Sequence, residues 1–320
     1  MAAIGNTFTT PDAVGIREDL SDVIYNISPE DTPFFSNAKR GKCSNTLYEW
    51  QVDELAATDT TNAAPEGNDE TTFDEVTPTV RLQNYVQISK KNLIISETQE
   101  TVTKAGRRSE IAYQLAKRSK ELKRDMEAIA LANQAANGTG TRTTGSVLAF
   151  LKTNTNKSDG TVDGVDPDYT NLPDDTRTDG TQRAFDEAQL KDVIQQCWQE
   201  GANPKMVMVG PFNKQAMSGF LGIAEQRYQA PSSGQTRIVA AADIYQSDFG
   251  EVSIVPNRFQ RDRDAFVLDP EYMEIVYLRP FKQKPLATTG DAQKRLLNVE
   301  WGVKIHNEKA HGLVADLTTS

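Results

Sequence analysis

A chain of 320 residues is long enough to bury a substantial core and to form two or more domains. Its formal charge of -10 and pI ≈ 4.9 argue against general affinity for nucleic acid over the whole surface. Apolar residues make up only 38% and the mean hydropathy is -0.55, so part of the chain is expected to be extended or buried only against partners. Apolar runs reach no more than about five residues, far short of a bilayer span. The opening Met1-Ala-Ala-Ile-Gly-Asn has no basic stretch followed by an apolar one, so neither a secretory signal nor a membrane association is expected. Cys43 and Cys197 are too few for a disulfide framework and read as buried thiols of a protein folded in a reducing cytoplasm.

Residues 1–42 read as an arm with Asp, Pro and Ser punctuation, pinned at its end by Phe34 and Phe35. Local packing and contact with a neighbour explain that aromatic pair equally well. A hairpin follows within 43–95. Thr46, Tyr48, Trp50 and Val52 line one side of its first strand, and Val76, Val80, Leu82, Val86 and Ile88 one side of its second. Thirteen residues at roughly 3.3 Å each would make the second strand about 40 Å long. The far end, 53–75, carries Asp53, Glu54, Asp59, Glu66, Asp69, Glu70, Asp74 and Glu75 and no Lys or Arg, with Pro65 and Gly67 interrupting it. A two-stranded ribbon is marginal alone, so this one is expected to lie on something else.

Helical spacing of Ile111, Leu115, Leu122, Met126 and Ile129 predicts a long helix over about 107–134, roughly 40 Å in length, stopped by Asn137-Gly138. Lys104, Arg107, Arg108, Lys117, Arg118, Lys120, Lys123 and Arg124 outweigh the acids Glu110, Glu121, Asp125 and Glu127. The helix is basic where the hairpin tip is acidic. Residues 138–182, rich in Gly, Thr, Asp and Asn, read as an extended surface segment ordered only under a neighbour, with Val147–Leu151 as its anchor.

From 186 the pattern becomes mixed α/β. Leu190, Val193, Ile194, Cys197 and Trp198 predict one buried helical face, with Asp186 and Gln189 as a capping box and Gly201 as the stop. Strands at 205–209, 252–256, 265–268 and 273–278 are expected, with a helix near 212–221. Arg279-Pro280 then opens a loop through Gly290. The closing strand 297–305 alternates without fault, Leu297, Val299, Trp301, Val303 and Ile305 on one face and Asn298, Glu300, Gly302 and Lys304 on the other. A half-buried strand so late in the chain implies a return to a sheet begun earlier.

No catalytic constellation emerges. His306 and His311 are the only histidines, and neither comes with the further ligands zinc would need. Phosphate-cradling and dinucleotide glycine patterns are absent. Asp159, Asp163, Asp166 and Asp168 could hold a hard cation but lack the closing Glu of a calcium loop, so a solvated acidic loop is the default. No catalytic residue, cofactor site or metal site is assigned.

Several stretches resemble one family. Asp12-Ala-Val-Gly-Ile-Arg-Glu-Asp-Leu-Ser-Asp-Val-Ile-Tyr-Asn-Ile-Ser-Pro29 followed by Asp31-Thr-Pro-Phe34 resembles the N-arm opening of a tailed-bacteriophage major capsid family. Thr46-Leu-Tyr-Glu-Trp-Gln51, Thr289-Gly-Asp-Ala-Gln-Lys-Arg295, Val299-Glu-Trp and Asn307-Glu-Lys-Ala-His-Gly312 are similar as well. The match spans nearly the whole chain and is weakest over 152–182. The resemblance implies the α+β Johnson fold, the Hong Kong phage-type capsid fold. Its parts would be an N-terminal arm (1–42), an extended loop (43–95), a peripheral domain (96–185 and 286–320) with a spine helix about 107–134, and an axial domain (186–285). It further implies a subunit without enzymatic activity or cofactor. Such a subunit assembles in the bacterial cytoplasm as hexamers and pentamers of an icosahedral virion shell. Its other partners would be portal, scaffolding or decoration proteins and, non-specifically, the packaged double-stranded DNA. No removable scaffolding extension is evident, so a separate scaffold is expected.

Candidate inter-subunit contacts are Phe34, Phe35, Tyr48 and Trp50, the acidic Asp53, Glu54, Asp59, Glu66, Asp69 and Glu70, and the basic Lys117, Lys120, Lys123 and Arg124. The acidic tip is expected to dock on such basic residues of an adjacent subunit, opposite charge setting register. Some relatives cross-link loop-tip lysine to asparagine; with no lysine in 53–75, that chemistry is not expected here. A phage tail or surface-binding module is the alternative, but such modules usually repeat β-segments and this chain shows no internal repeat. A carboxylate hydrolase would leave the hairpin unexplained.

Overall fold

The computed structural model describes residues 31–64, 66, 67, 73, 75–220, 243–288 and 290–319. The arm motif over 12–30, the tip acids Asp69, Glu70 and Asp74, and Thr289 lie outside the described residues.

The first elements are short: α1 (Pro33–Asn37), with proline in its first turn, and β1 (Lys39–Lys42). β2 (Leu47–Val52) and β3 (Val80–Tyr85) pair antiparallel, Leu47 opposite Tyr85 and Val52 opposite Val80. β4 (Gln87–Ser96) then begins one residue later in a different sheet. The expected thirteen-residue strand is therefore broken at Val86, and the paired ribbon is six residues a side, about 20 Å. Val86, fully buried with Tyr48 and Val276, is the pivot.

α2 (Glu97–Thr101) and α3 (Glu110–Ala130) follow. Ser109 caps α3, its hydroxyl accepting from the Ala112 N–H at 3.2 Å. Leu122, Met126 and Ala130 fall on its buried stripe. The next segment is better anchored than its composition suggests. α4 (Val147–Phe150) is wholly buried, and β5 (Thr155–Asn156) joins a sheet. Arg177, 2% exposed, pairs with Asp166 and with Asp316 at 3.1 Å. Asp316, in the left-handed region at φ 61, also takes the Ser158 and Gly180 N–H groups and Arg263. Burial works against this carboxylate, but those donors and Arg177 hold it below the usual carboxylate range. Residues 138–182 are thus held by their own chain through paired buried charges, a correction to the neighbour-dependent segment expected.

α5 (Glu187–Gln199) carries the expected capping box, and Gly201 at φ +87 ends it. Leu190, Val193, Ile194 and Cys197 are buried, but Trp198 is 54% exposed and sits instead against Phe249, ring centroids 5.1 Å apart. Adjacent helical positions diverge by 100°, which carries Trp198 past the apolar stripe. Then come β6 (Met206–Val209), α6 (Pro211–Met217), β7 (Ile244–Ser247), β8 (Gly250–Pro256), β9 (Ala265–Leu268), β10 (Met273–Pro285), β11 (Ala292–Ile305) and β12 (Gly312–Val314). β10 passes straight through Arg279-Pro280, where a loop was expected. Register shifts between Tyr277 and Lys282 absorb the proline.

Two larger sheets result, one ordered β1-β10-β11-β4 and one ordered β5-β12-β9-β6-β8-β7. β6 and β9, the unbroken runs Met-Val-Met-Val and Ala-Phe-Val-Leu, are buried on both faces, as continuous apolar strands require. One face packs Met206, Met208, Phe266 and Leu268 into a core shared with Phe34, Leu122, Met126 and Trp301. The other packs Val207, Val209 and Val267 against α5.

Candidate functional site

The aromatic candidates turn inward. Phe34 is completely buried, and the Phe34 and Phe35 N–H groups donate to the Glu127 carboxylate at 2.7 and 3.0 Å. Asn257 donates to the same carboxylate at 2.7 Å. One α3 side chain thereby ties the arm and the strand end after β8 together, and burial pushes its pKa up against those donors. Phe35 meets Trp301 edge-on at 5.4 Å. Tyr48 is 8% exposed; its hydroxyl donates to the Val303 carbonyl at 2.5 Å. Trp50 stacks on Tyr48 and donates its indole N–H to the His306 carbonyl at 3.2 Å. Phe34 and Tyr48 therefore serve their own chain and leave little or no surface for a neighbour, a correction to the inter-subunit contact expected of them. Trp50 and Phe35, half-buried, serve it too.

The charged candidates point outward. Asp53, Glu54, Asp59 and Glu66 are exposed. Asp59 accepts from the Thr61 N–H and hydroxyl, and Glu54 pairs with Lys309 at 2.9 Å, which aims the ribbon's outer end past the end of β11. Beside these acids Leu55, Phe73 and Val76 are 101, 84 and 89% exposed. Large apolar side chains this open are unusual on the surface of a free monomer. Lys117, Lys120 and Lys123 are exposed on α3, while Arg124 is half-buried with its guanidinium 5.5 Å from the Phe259 ring centre. Among the described residues, no ion pair joins Asp53, Glu54, Asp59 or Glu66 to Lys117, Lys123 or Arg124.

The histidines are separated in role. His306 lies 3.2 Å from Glu274, and burial and Lys304 lower its pKa. His311 is fully buried, its Nδ1 accepts from the Asp269 N–H at 3.1 Å, and burial pushes its pKa down to about 4. It is a neutral core histidine. Asp166 of the acidic loop is committed to Arg177 and Lys157. Burial also pushes the Cys197 thiol up to about 12, far from a reactive thiolate. Among the described residues no three His, Cys, Asp or Glu side chains gather as a metal centre would need. A cleft of about 760 Å³ between β4 and α3 is lined by Ile94, Ser96, Gln99, Glu110, Arg118 and Lys294 among others; the Ser96 hydroxyl caps α2 by accepting from the Gln99 N–H, and Glu110 is held by Arg107 and Gln114.

Glu127 and Glu300 escaped the sequence reading. Glu300, 3% exposed, accepts from Arg142 at 2.5 Å and Arg279 at 2.6 Å. On a polar strand face or a basic helix a lone Glu is indistinguishable from a solvated one, so only the folded contacts reveal them. Lys282 and Lys284 lie in β10 and not in the expected loop, because Pro280 masks the strand pattern around them.

Known proteins agree over the whole length. The chain matches the model of the SU10 major capsid protein family over residues 3–318. It is 27% identical over 339 residues to the major capsid protein of Escherichia phage Phieco32, covering 96% of each chain. Among solved structures it resembles the cyanophage A-1(L) capsid asymmetric unit (TM-score 0.67, 11% identity, 98% of this chain and 99% of that one). Gordonia phage Cozz gives a TM-score of 0.62 at 13% identity, over 99% and 98%. These likenesses establish the α+β phage capsid fold, and no helix among the described residues is long and apolar enough to cross a membrane. With the family match running from residue 3 to residue 318, the chain belongs to the SU10 major capsid protein family.

Proposed function

We propose that this major capsid protein forms hexamers and pentamers that close into an icosahedral head shell around double-stranded DNA, and that it catalyses no reaction. Residues 1–42 would be the arm, 43–95 the extended loop, 96–185 with 286–320 the peripheral domain, and 186–285 the axial domain that meets its copies around symmetry axes. The observation that carries this reading is the ribbon's outer end, where Leu55, Phe73 and Val76 stand open in or next to 53–75, a segment with eight acids and no Lys or Arg. A subunit that works by repeated contact, each on the order of 1,000 Å² or more, needs such surfaces; a freestanding monomer does not. The acidic tip would seat on cations of an adjacent copy, and portal, scaffolding and decoration proteins, with non-specific contact to DNA, complete the partners. Negative-stain microscopy of the expressed chain, with scaffold supplied if needed, should show capsomers or uniform hollow particles. A protein that stays monomeric at every concentration and with scaffold present would refute the reading.

A further inference from the structure

Asn137-Gly138 does not stop α3, which ends at Ala130; it opens a tight turn instead. The Asn137 N–H donates to the Thr143 carbonyl and the Thr143 N–H to the Asn137 carbonyl, both at 3.0 Å. Gly140, at φ +65, turns the chain between them. The side-chain Oδ1 of Asn137 accepts from the Thr139 N–H and from the Thr139 hydroxyl, each at 2.9 Å. Asn137, Gly138 and Thr139 are all exposed. Gly138 lies against Tyr85, and a Cβ there would come within 2.3 Å of the ring's Cζ. The fold thus requires at 138 the residue that least shields its own amide nitrogen.

We propose that Asn137 is a site of spontaneous covalent modification, its carboxamide converting to aspartate and isoaspartate through a cyclic imide in the folded chain. The Gly138 nitrogen, its proton lost to water, attacks Asn137 Cγ and a new C–N bond closes the ring. Negative charge passes to Oδ1, the atom that already faces both Thr139 donors, an arrangement of the oxyanion-hole kind. The Cγ–Nδ2 bond then breaks and ammonia leaves with a proton from solvent. Water opens the imide at either carbonyl, so one amide and one water become one carboxylate and one ammonium ion.

The rest of the molecule supplies the contrast. Asp159-Gly160, Asp163-Gly164 and Asp179-Gly180 are the same kind of pair, but each nitrogen that would attack is engaged. Gly160 donates to the Ser158 hydroxyl at 3.3 Å, Gly164 to the Ser158 carbonyl at 3.2 Å, and Gly180 to the Asp316 carboxylate at 2.7 Å. Among the described residues no acceptor holds the Gly138 N–H. A carboxylate is also a poorer electrophile than a carboxamide. Conversion adds a negative charge to the turn, and isoaspartate adds a carbon to the main chain, which would shift Gly138 from its place against Tyr85 at the end of β3.

Ageing of purified full-length subunits at mildly alkaline pH, read by peptide mass spectrometry with isoaspartate detection, tests the assignment. The amide at 137 should disappear from the folded chain at least as fast as from the same chain in denaturant. Asp159, Asp163 and Asp179 should form isoaspartate only in denaturant. Thr139→Val, a change at an exposed position, should slow the loss about fivefold in the folded chain, the worth of one hydrogen bond, and leave the rate in denaturant unchanged. Thr139→Ser, which keeps the hydroxyl, should react at the unaltered rate. An amide that survives in the folded chain and is lost only in denaturant would overturn the proposal. So would equal conversion at the three aspartates, or a folded rate indifferent to Thr139→Val.

Discussion

The two halves of β11 share one alternating pattern and meet opposite fates. From Val299 to Ile305 both faces are covered, by Trp301 and Val303 in the core on one side and by Tyr48 over Gly302 on the other. From Ala292 to Asn298 every residue is only half-buried, with α3 nearby on one side and the exposed Lys90, Lys282 and Lys284 of the flanking strands on the other. Alternation guarantees a strand one face of which can be buried. It does not say whether the second face meets the same chain, another chain or water. In this molecule the first half is enclosed by its own chain and the second is left partly open.

The largest expected effect breaks the enclosed half. Trp301→Ala removes a fully buried indole and its 3.0 Å bond to the Ser89 hydroxyl, and should cost about 4 kcal/mol in denaturant unfolding of unassembled subunits. Leu297→Ala, four residues away in the exposed half, should cost only about 1.5 kcal/mol. Equal losses would erase the distinction between the halves.

A second test uses pH. His311, buried just beyond the enclosed half, protonates near 6.5 when unfolded but only near 4 when folded. A lowered histidine pKa makes stability complete above 6.5 and lost as pH falls toward 4, by up to about 3 kcal/mol. His311→Asn, whose amide oxygen can still accept from Asp269, should flatten that acid limb. Asp264 acts in the reverse sense, since burial pushes its pKa up to about 6 and its charge costs stability above that pH. An acid limb unchanged in the Asn variant would place the titrating group elsewhere.

A third test, smaller in effect than the loss of Trp301 or the His311 titration, sharpens the second covered face. A Cβ at Gly302 would lie 2.5 Å from the Tyr48 hydroxyl, so Gly302→Ala should cost about 2 kcal/mol and loosen the β2–β3 ribbon. Increased proteolysis at 53–79 would report that loosening. A neutral result would mean that Tyr48 moves freely, contrary to its place in the core.

Much of the fold was legible because local chemistry dictates it. The capping box at Asp186, the stop at Gly201, the buried Met-Val-Met-Val strand and the alternation at 297–305 all follow from backbone geometry a few residues long. The paired strand that ends at Tyr85, the passage of β10 through Pro280 and the exposure of Trp198 did not. Each depends on which distant element arrives at that position. The buried set of Arg177, Asp166 and Asp316 shows the same limit most sharply, joining positions up to 150 residues apart that read individually as loop polars.

The sequence by itself determined the kinds of element, the inward side of each strand and helix, and the segregation of acid into 53–75 and base into the helix. Only the tertiary structure decided that Phe34 and Tyr48 are spent within the chain, that Glu127 and Glu300 are enclosed, and that exposed lysines lie on β4 and β10 as well as on α3. The physical reason is range. Periodicity and capping are set by neighbouring residues, whereas the covering of a second face is set by partners far away in the chain or in another copy of it.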